Sequence, residues 1–345
     1  ELIFADGANT VFTGNEATDG GAIYLAGGSL KIDAADADSI VFDGNIAKGR
    51  NGGGAVYMAW NTTASITGTG EVLFTQNGAL DDPSDYSVGG AFFCDRSTVL
   101  TITNSNTAFI ENYAENFAGA IHSYSNVTIH GEAGNYILFK GNYVLGNNSV
   151  RTGGGAIYLQ TTGVLTLGGG AVYTFTDNAA SRNGGAIYFD VAASGEAEKT
   201  LTGMTFTDNT AGSDGGAIYS ARAFTVSGAA VFNGNNAGAS GGAIYATGAA
   251  AVVTLDGVTI GGFDAVNNVG LGNSAKYGGG VALAADGVEE GGEGPDAAGA
   301  GVRGEEGAER AGEVGDEEAG GGGAAGGDEV HVERAGARVD GGLLE

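Results

Sequence analysis

Two short motifs alternate along this chain, and they constrain its fold more than any single residue does. Gly-Gly-Ala-Ile-Tyr occurs at Gly20–Tyr24, Gly184–Tyr188, Gly215–Tyr219 and Gly241–Tyr245, with further copies at Gly53–Val56, Gly89–Phe92, Ala118–Ile121 and Gly154–Ile157. Each is preceded by Phe-x-x-Asn: Phe12 and Asn15, Phe42 and Asn45, Phe74 and Asn77, Phe109 and Asn112, Phe139 and Asn142, Phe175 and Asn178, Phe206 and Asn209, Phe232 and Asn235. A ninth, weaker round is expected from Phe263 to Val281. Self-similarity at a fixed period marks stacked repeats.

Between the Tyr of one round and the Phe of the next lies an apolar-polar-apolar triplet, as in Leu30-Lys31-Ile32, Leu100-Thr101-Ile102, Val127-Thr128-Ile129, Leu165-Thr166-Leu167 and Phe224-Thr225-Val226. Each round therefore reads as three short strands separated by Gly, Asn, Asp and Ser turns. No window carries a helical period. Three strands in roughly 30 residues cannot bury a core alone, but they can when each round lies on the one before. The expectation is an all-β, right-handed parallel β-helix of eight or nine coils over residues 1–284, a rod about 40 Å long at the ~4.8 Å spacing of a sheet. In that geometry the Phe stack inward, the Asn bond to their equivalents above and below, and the glycines serve a corner where a Cβ would clash.

Composition agrees and excludes alternatives. The 68 glycines carry no Gly-X-Y period, so tight turns and not collagen explain them. A net charge of −27 argues against nucleic acid or an anionic membrane as partner. Cys94 permits no internal disulfide and sits where other rounds carry Leu, Met or Phe, so it reads as a small buried apolar residue. No stretch approaches the ~20 apolar residues of a spanning helix, and no leader opens the chain. The chain starts inside a repeat, as a piece of a longer protein would, so a missing leader says nothing about secretion.

From residue 285 to Glu345 the composition changes abruptly: 17 acidic and four basic residues, and no Phe, Tyr, Trp, Ile, Met, Ser, Thr, Asn, Gln, Lys or Cys. Such a segment cannot build a core. It reads either as a disordered acidic tail or as an out-of-frame reading of GC-rich DNA, since Gly, Ala, Val, Asp and Glu all have codons beginning with G.

The alternation of Gly-Gly-Ala-(Ile, Leu or Val) with Phe-x-x-Asn over residues 1–284 resembles the chlamydial polymorphic outer membrane protein repeat, a family of autotransporter-like adhesins. The resemblance implies a secreted, surface-displayed β-helical passenger that binds host or neighbouring cells, with both tetrapeptides implicated in adhesion. It places the sixteen Phe and Asn residues above as binding-motif candidates. It also implies a leader and a C-terminal barrel; neither is visible here, so any membrane contact would run through a barrel that this chain does not contain.

Strand parity adds a second candidate set. If Ile23, Val56, Phe92, Ile121, Ile157, Ile187, Ile218 and Ile244 face the core, the residues after them face away. Those are Tyr24, Tyr57, Phe93, His122, Tyr158, Tyr188, Tyr219 and Tyr245, an external aromatic ladder able to stack on sugars or anchor a partner, or only to stabilise the sheet. Two longer excursions, Gly78–Val88 with Asp81, Asp82, Asp85 and Tyr86, and Tyr143–Thr152 with Asn147, Asn148 and Arg151, leave the same corner two coils apart. They read as flanks of one binding surface or as tolerated insertions.

Catalysis is the competing class, because β-helices include polysaccharide lyases and hydrolases. That chemistry needs converging carboxylates. Asp177 and Asp208 stack, but at a position that is Gly14, Gly44, Gly141 and Gly234 elsewhere, which marks a turn; Asp82, Asp85 and Arg96 form only a partial cluster. No metal, P-loop or nucleophile-elbow spacing occurs, and no cofactor or catalytic residue is expected. The expected function is an adhesin-like module at the cell surface, outer-membrane-associated if bacterial, binding a host or neighbouring cell-surface protein or glycan, with self-association also open. The alternatives are a carbohydrate-binding or polysaccharide-degrading β-helix and a structural spacer.

Overall fold

The structure, a computed structural model, describes residues 1–4, 9–35, 39–80, 87–103, 106–146, 152–160, 163–191, 199–248, 251–264 and 269–284. The acidic segment 285–345 lies outside the described residues.

Among the described residues all regular structure is strand, and every strand pair is parallel except Phe263–Asp264 with Val269–Gly270. The second coil shows the plan: Gly28–Ala34, Ser39–Asp43, Ile46–Ala47 and Val56–Met58, each in a different sheet. We call these the Leu, Phe, corner and Ile sheets. The Phe and Ile sheets have nine described strands and the corner sheet eight; the Leu sheet has six, continued by Lys199–Thr202, Phe224–Ser227 and Val253–Asp256. Every step within the Phe, corner and Leu sheets moves one coil along the chain, which is the topology of a parallel β-helix. The corner sheet is an addition to the three expected strands. Its members are two residues long, too short to show any alternation in sequence.

Register turns repeats into ladders. Phe12, Phe42, Phe74, Phe109, Phe139, Phe175, Phe206 and Phe232 are successive strand partners. Adjacent rings from Phe42 to Phe74 lie 4.8 Å apart at 9°, and from Phe139 to Phe175 4.8 Å apart at 1°. The strand spacing therefore equals the ring spacing, and each ring buries its faces against two others. Aliphatic rows fill the rest: Ile32, Ile66, Ile102, Ile129 and Leu167 on the Leu sheet, and Val56, Phe92, Ile121, Ile157, Ile187, Ile218 and Ile244 on the Ile sheet, are all buried. Stacked aromatic pairs add about 0.5–1.5 kcal/mol each beyond area burial.

The corner is held by asparagine. Asn142 is fully buried; its Nδ2 donates to Asn178 Oδ1 (2.9 Å) and to the Phe109 carbonyl (2.9 Å), and its Oδ1 accepts from the Asn112 amide N–H (3.1 Å) and Nδ2 (3.0 Å). The same pattern runs from Asn15 to Asn235. It satisfies backbone groups that a turning chain removes from the sheets.

The ladder continues to Asn273, which accepts from Asn235 Nδ2 at 2.8 Å and donates to the Phe232 carbonyl. This corrects the ninth round. The Phe position is taken by Ile260, paired with Phe232, and the short antiparallel pair containing Phe263 interrupts the motif before Leu271-Gly272-Asn273 resumes it. An insertion inside the tetrapeptide hid both ends.

The opposite corner needs its glycines. Gly184 has φ +62°, and a Cβ on Gly185 would run into the Gly216 carbonyl oxygen of the next coil and lie 2.7 Å from the Thr210 nitrogen. Ala118 holds the first-glycine position of its coil at φ +56°, so there one side chain tolerates the left-handed region.

Asn142→Ala is expected to lower stability by about 3 kcal/mol or more, because it strands buried donors and acceptors on two neighbouring coils. Asn15→Ala, at an exposed position with one side-chain bond to Asn45, is expected to cost about 1 kcal/mol or less. Urea unfolding midpoints of the two variants check this; equal losses would show that the interior ladder is not what stabilises the corner.

Candidate functional site

The motif side chains lie inside. Phe42, Phe74, Phe109, Phe139, Phe175, Phe206 and Phe232 and Asn45, Asn77, Asn112, Asn142, Asn178, Asn209 and Asn235 are fully buried; only Phe12 is half-buried and Asn15 exposed, in the first coil. A molecule approaching these corners meets the residue before each Asn: Gly14, Gly44, Gln76, Glu111, Gly141, Asp177, Asp208 and Gly234, all at φ between +52° and +64°. Asp177 and Asp208 are thus left-handed turn residues, a conformation Asp and Asn tolerate better than most.

The aromatic row follows the expected parity but is not external. Its rings stack, with centroids 4.9 Å apart for Tyr24–Tyr57, 5.1 Å for Tyr57–Phe93 and 4.5 Å for both Tyr158–Tyr188 and Tyr188–Tyr219. Yet Tyr57, Phe93, Tyr158, Tyr188 and Tyr245 are buried, Tyr219 is half-buried, and only Tyr24 is largely exposed. The reason is the chain entering each glycine corner. Val88, Phe117, Gly153 and Asn183 bridge in parallel from coil to coil, and Val88 and Phe117 pack with the row as a second apolar cluster outside the main core. Phe117 meets Tyr158 edge-on at 4.8 Å. Strand alternation reports which face a residue takes, and not what a connecting segment later lays over that face.

His122 is part of this covered row, stacked 5.4 Å from both Phe93 and Tyr158. It is buried, and neither ring nitrogen has a hydrogen-bond partner among the described residues. Burial pushes its pKa down to about 3, so it sits neutral as a ring of the ladder. Cys94 is buried beside Met58, Sγ to Sδ 3.7 Å, with burial pushing its thiol up to about 12, as an inert packing residue requires. Arg96 lies over the Tyr124 ring at 5.1 Å; its proposed companions Asp82 and Asp85 are outside the described residues, as are Asp81, Tyr86, Asn147, Asn148 and Arg151 of the two excursions. Among the described residues no group of three or more His, Cys, Asp and Glu is placed to hold a metal.

The accessible chemistry gathers elsewhere, on the outward row of the corner sheet. Register aligns Glu16, Ile46, Gly78, Tyr113, Tyr143, Ala179, Thr210 and Asn236. Tyr113 and Tyr143 stack at 5.4 Å and 14° and are half-buried. A Cβ at Gly78 would strike the Tyr113 ring, so the ring leans over the space that glycine leaves. With Gly44, Ile46, Gln76 and Glu111 the two tyrosines line a shallow groove of about 350 Å³. Gln76 Nε2 donates to Glu111 Oε2 at 3.0 Å, and burial, then Tyr113 and Glu111, raise the Tyr143 hydroxyl above its ordinary value, keeping it a neutral donor. The two-residue strands carrying these tyrosines are too short for a periodic signal; the one available clue is an aromatic immediately after the Asn of Phe-x-x-Asn, at Asn112-Tyr113 and Asn142-Tyr143.

A stacked parallel solenoid with a packed interior and a patterned exterior defines a repeat protein whose outer rows are free to vary. The family model of the Chlamydia polymorphic membrane protein repeat matches at residues 9–26, 173–190, 203–221 and 229–247. Four segments of the chain are thus similar to the repeat of that family, a similarity that fits the class of surface, adhesin-like passengers. No curated protein and no solved structure matches it.

The depressed pKa of His122 has a defined consequence. The unfolded chain binds the proton near pH 6.5 and the folded chain only near 3, so stability from the neutral form is full above 6.5 and is lost as pH falls towards 3. Between pH 6.5 and 5 this amounts to roughly 2 kcal/mol. His122→Phe is expected to flatten that part of the pH–stability curve; an unchanged slope would show that the imidazole is not held neutral.

Proposed function

We propose that this solenoid is the adhesin-like passenger of a surface protein and that it binds cell-surface or matrix molecules through its outer rows. The repeat matches support the class, and one observation carries the mode of action: the Phe and Asn of the repeats are spent on the interior, while the left-handed positions and the corner-sheet row face out and differ from coil to coil. The two tetrapeptides serve adhesion by fixing corners at a constant rise, so that residues between and after them are presented as regular rows. Removing several Asn at once would therefore test the fold before it tested binding.

The partner is a protein or glycan of a host or neighbouring cell. The acidic chain favours neutral or basic ligands over polyanions. Binding without turnover is the proposed activity, since a rigid rod with a shallow exterior groove suits recognition by area and repetition.

The full chain is expected to bind intact cells or matrix-coated surfaces saturably, with no release of reducing sugar from polysaccharide substrates. Absence of saturable binding would overturn the adhesin reading, and sugar release would replace it with a polysaccharide-degrading one.

A further inference from the structure

We infer that the Tyr113–Tyr143 groove is a carbohydrate subsite that takes the pyranose units of a neutral glycan; this deepens the adhesin reading and rests on it. The fold does not require aromatics here, because the same row carries Glu16, Ile46, Gly78, Ala179 and Thr210 in other coils. Two adjacent coils nevertheless place stacked tyrosines on the outer face, 5.4 Å apart. Tyr113 leans over Gly78 before it and Ala179 follows Tyr143 as a small member of the row, so the pair stands as a ridge that steps down to Ala179.

The chemistry around the ridge matches a sugar. The C–H faces of a pyranose are apolar and stack on tyrosine rings, while its hydroxyls need donors and acceptors at the rim. Gln76 and Glu111 supply both: an amide and a carboxylate, exposed and hydrogen-bonded at 3.0 Å, which holds them in place. The Tyr143 hydroxyl is a neutral donor. Glu111 repels anionic sugars, and among the described residues no lysine or arginine lines the groove to offset it. Four coils contribute to the lining, so the groove runs about 15 Å along the rod at sheet spacing, room for a short oligosaccharide and not one ring alone. Leu145, on the outward side two residues past Tyr143 and largely exposed, lengthens the apolar surface.

The test is titration of the full chain with neutral oligosaccharides of gluco and galacto configuration, with sialylated and amino-sugar oligomers as comparison, alongside binding to intact cells. Tyr113→Ala and Tyr143→Ala are each expected to weaken neutral-glycan binding about tenfold or more. Glu111→Gln removes the negative charge at the rim and is expected to raise binding of the sialylated oligomers relative to the neutral ones; an unchanged ratio would show that Glu111 does not set the preference. Circular dichroism and unfolding midpoints establish that each variant is folded, and Gln76→Ala, at an exposed position, gives a second probe should a tyrosine variant fail to fold. Cell binding by the wild type that survives the loss of both tyrosines overturns the subsite and leaves the adhesin reading standing. A wild type that binds neutral glycans but no cells keeps the subsite and overturns the adhesin reading. Preference for sialylated oligomers, or no glycan binding at all, overturns the subsite.

Discussion

In-register stacking of identical side chains, one coil over the next, is the constraint on which the rest of this structure depends. A parallel coil presents the same position every turn, so the hydrogen bonds of one asparagine must be answered by another. The amide can do this because its Oδ1 and Nδ2 lie on one group, one accepting from the coil on one side and the other donating to the coil beyond. A carboxylate could not, having no donor, and a hydroxyl is too short to reach both a neighbour and the Phe carbonyl. Stacked rings obey the same logic, because a spacing near 4.8 Å satisfies both the ladder of backbone bonds and the contact of aromatic faces.

That logic decides which parts of the molecule can be read from sequence. Phe74, Asn77 and Ile121 are legible because each repeats with its neighbours at a fixed place in the motif, and their burial follows from the stacking. The corner sheet is not legible, since two residues hold no periodicity. The ninth coil is half legible: Val281 pairs with Ile244 as the glycine motif implies, but Ile260 and Asn273 are separated by an insertion that breaks the tetrapeptide. The position of Tyr188 shows a further limit. Its face was readable from parity, while its burial depends on the segment through Gly153 and Asn183, whose path no local pattern encodes.

Some buried polar groups follow tertiary contacts alone. Arg222 is fully buried, and its guanidinium reaches the carbonyls of Asp190 (2.6 Å), Gly163 (3.1 Å) and Gln160 (3.1 Å), joining three successive coils at the turn between the Ile and Leu sheets. In sequence it is one arginine after a strand. The charge is stabilised there because three carbonyl oxygens from the two preceding coils converge on one guanidinium, whose fixed fork of donors serves them together.

Interior rows cannot change one coil at a time without cost, and this locates the freedom on which recognition can act. Replacing one Asn or one glycine of a corner disturbs two neighbours, because each coil supplies the bonds or the space of the next. An outward residue such as Tyr113 touches its row neighbours but satisfies no buried group, and the coils on either side tolerate Gly78 and Tyr143 in turn. Variation is therefore cheap only on outward rows, and the rigid rise gives any pair of adjacent choices there a fixed spacing. A surface of this kind can exchange outward side chains on a frame that stays the same, because the repeated motifs and the residues free to vary occupy different positions of the same corner.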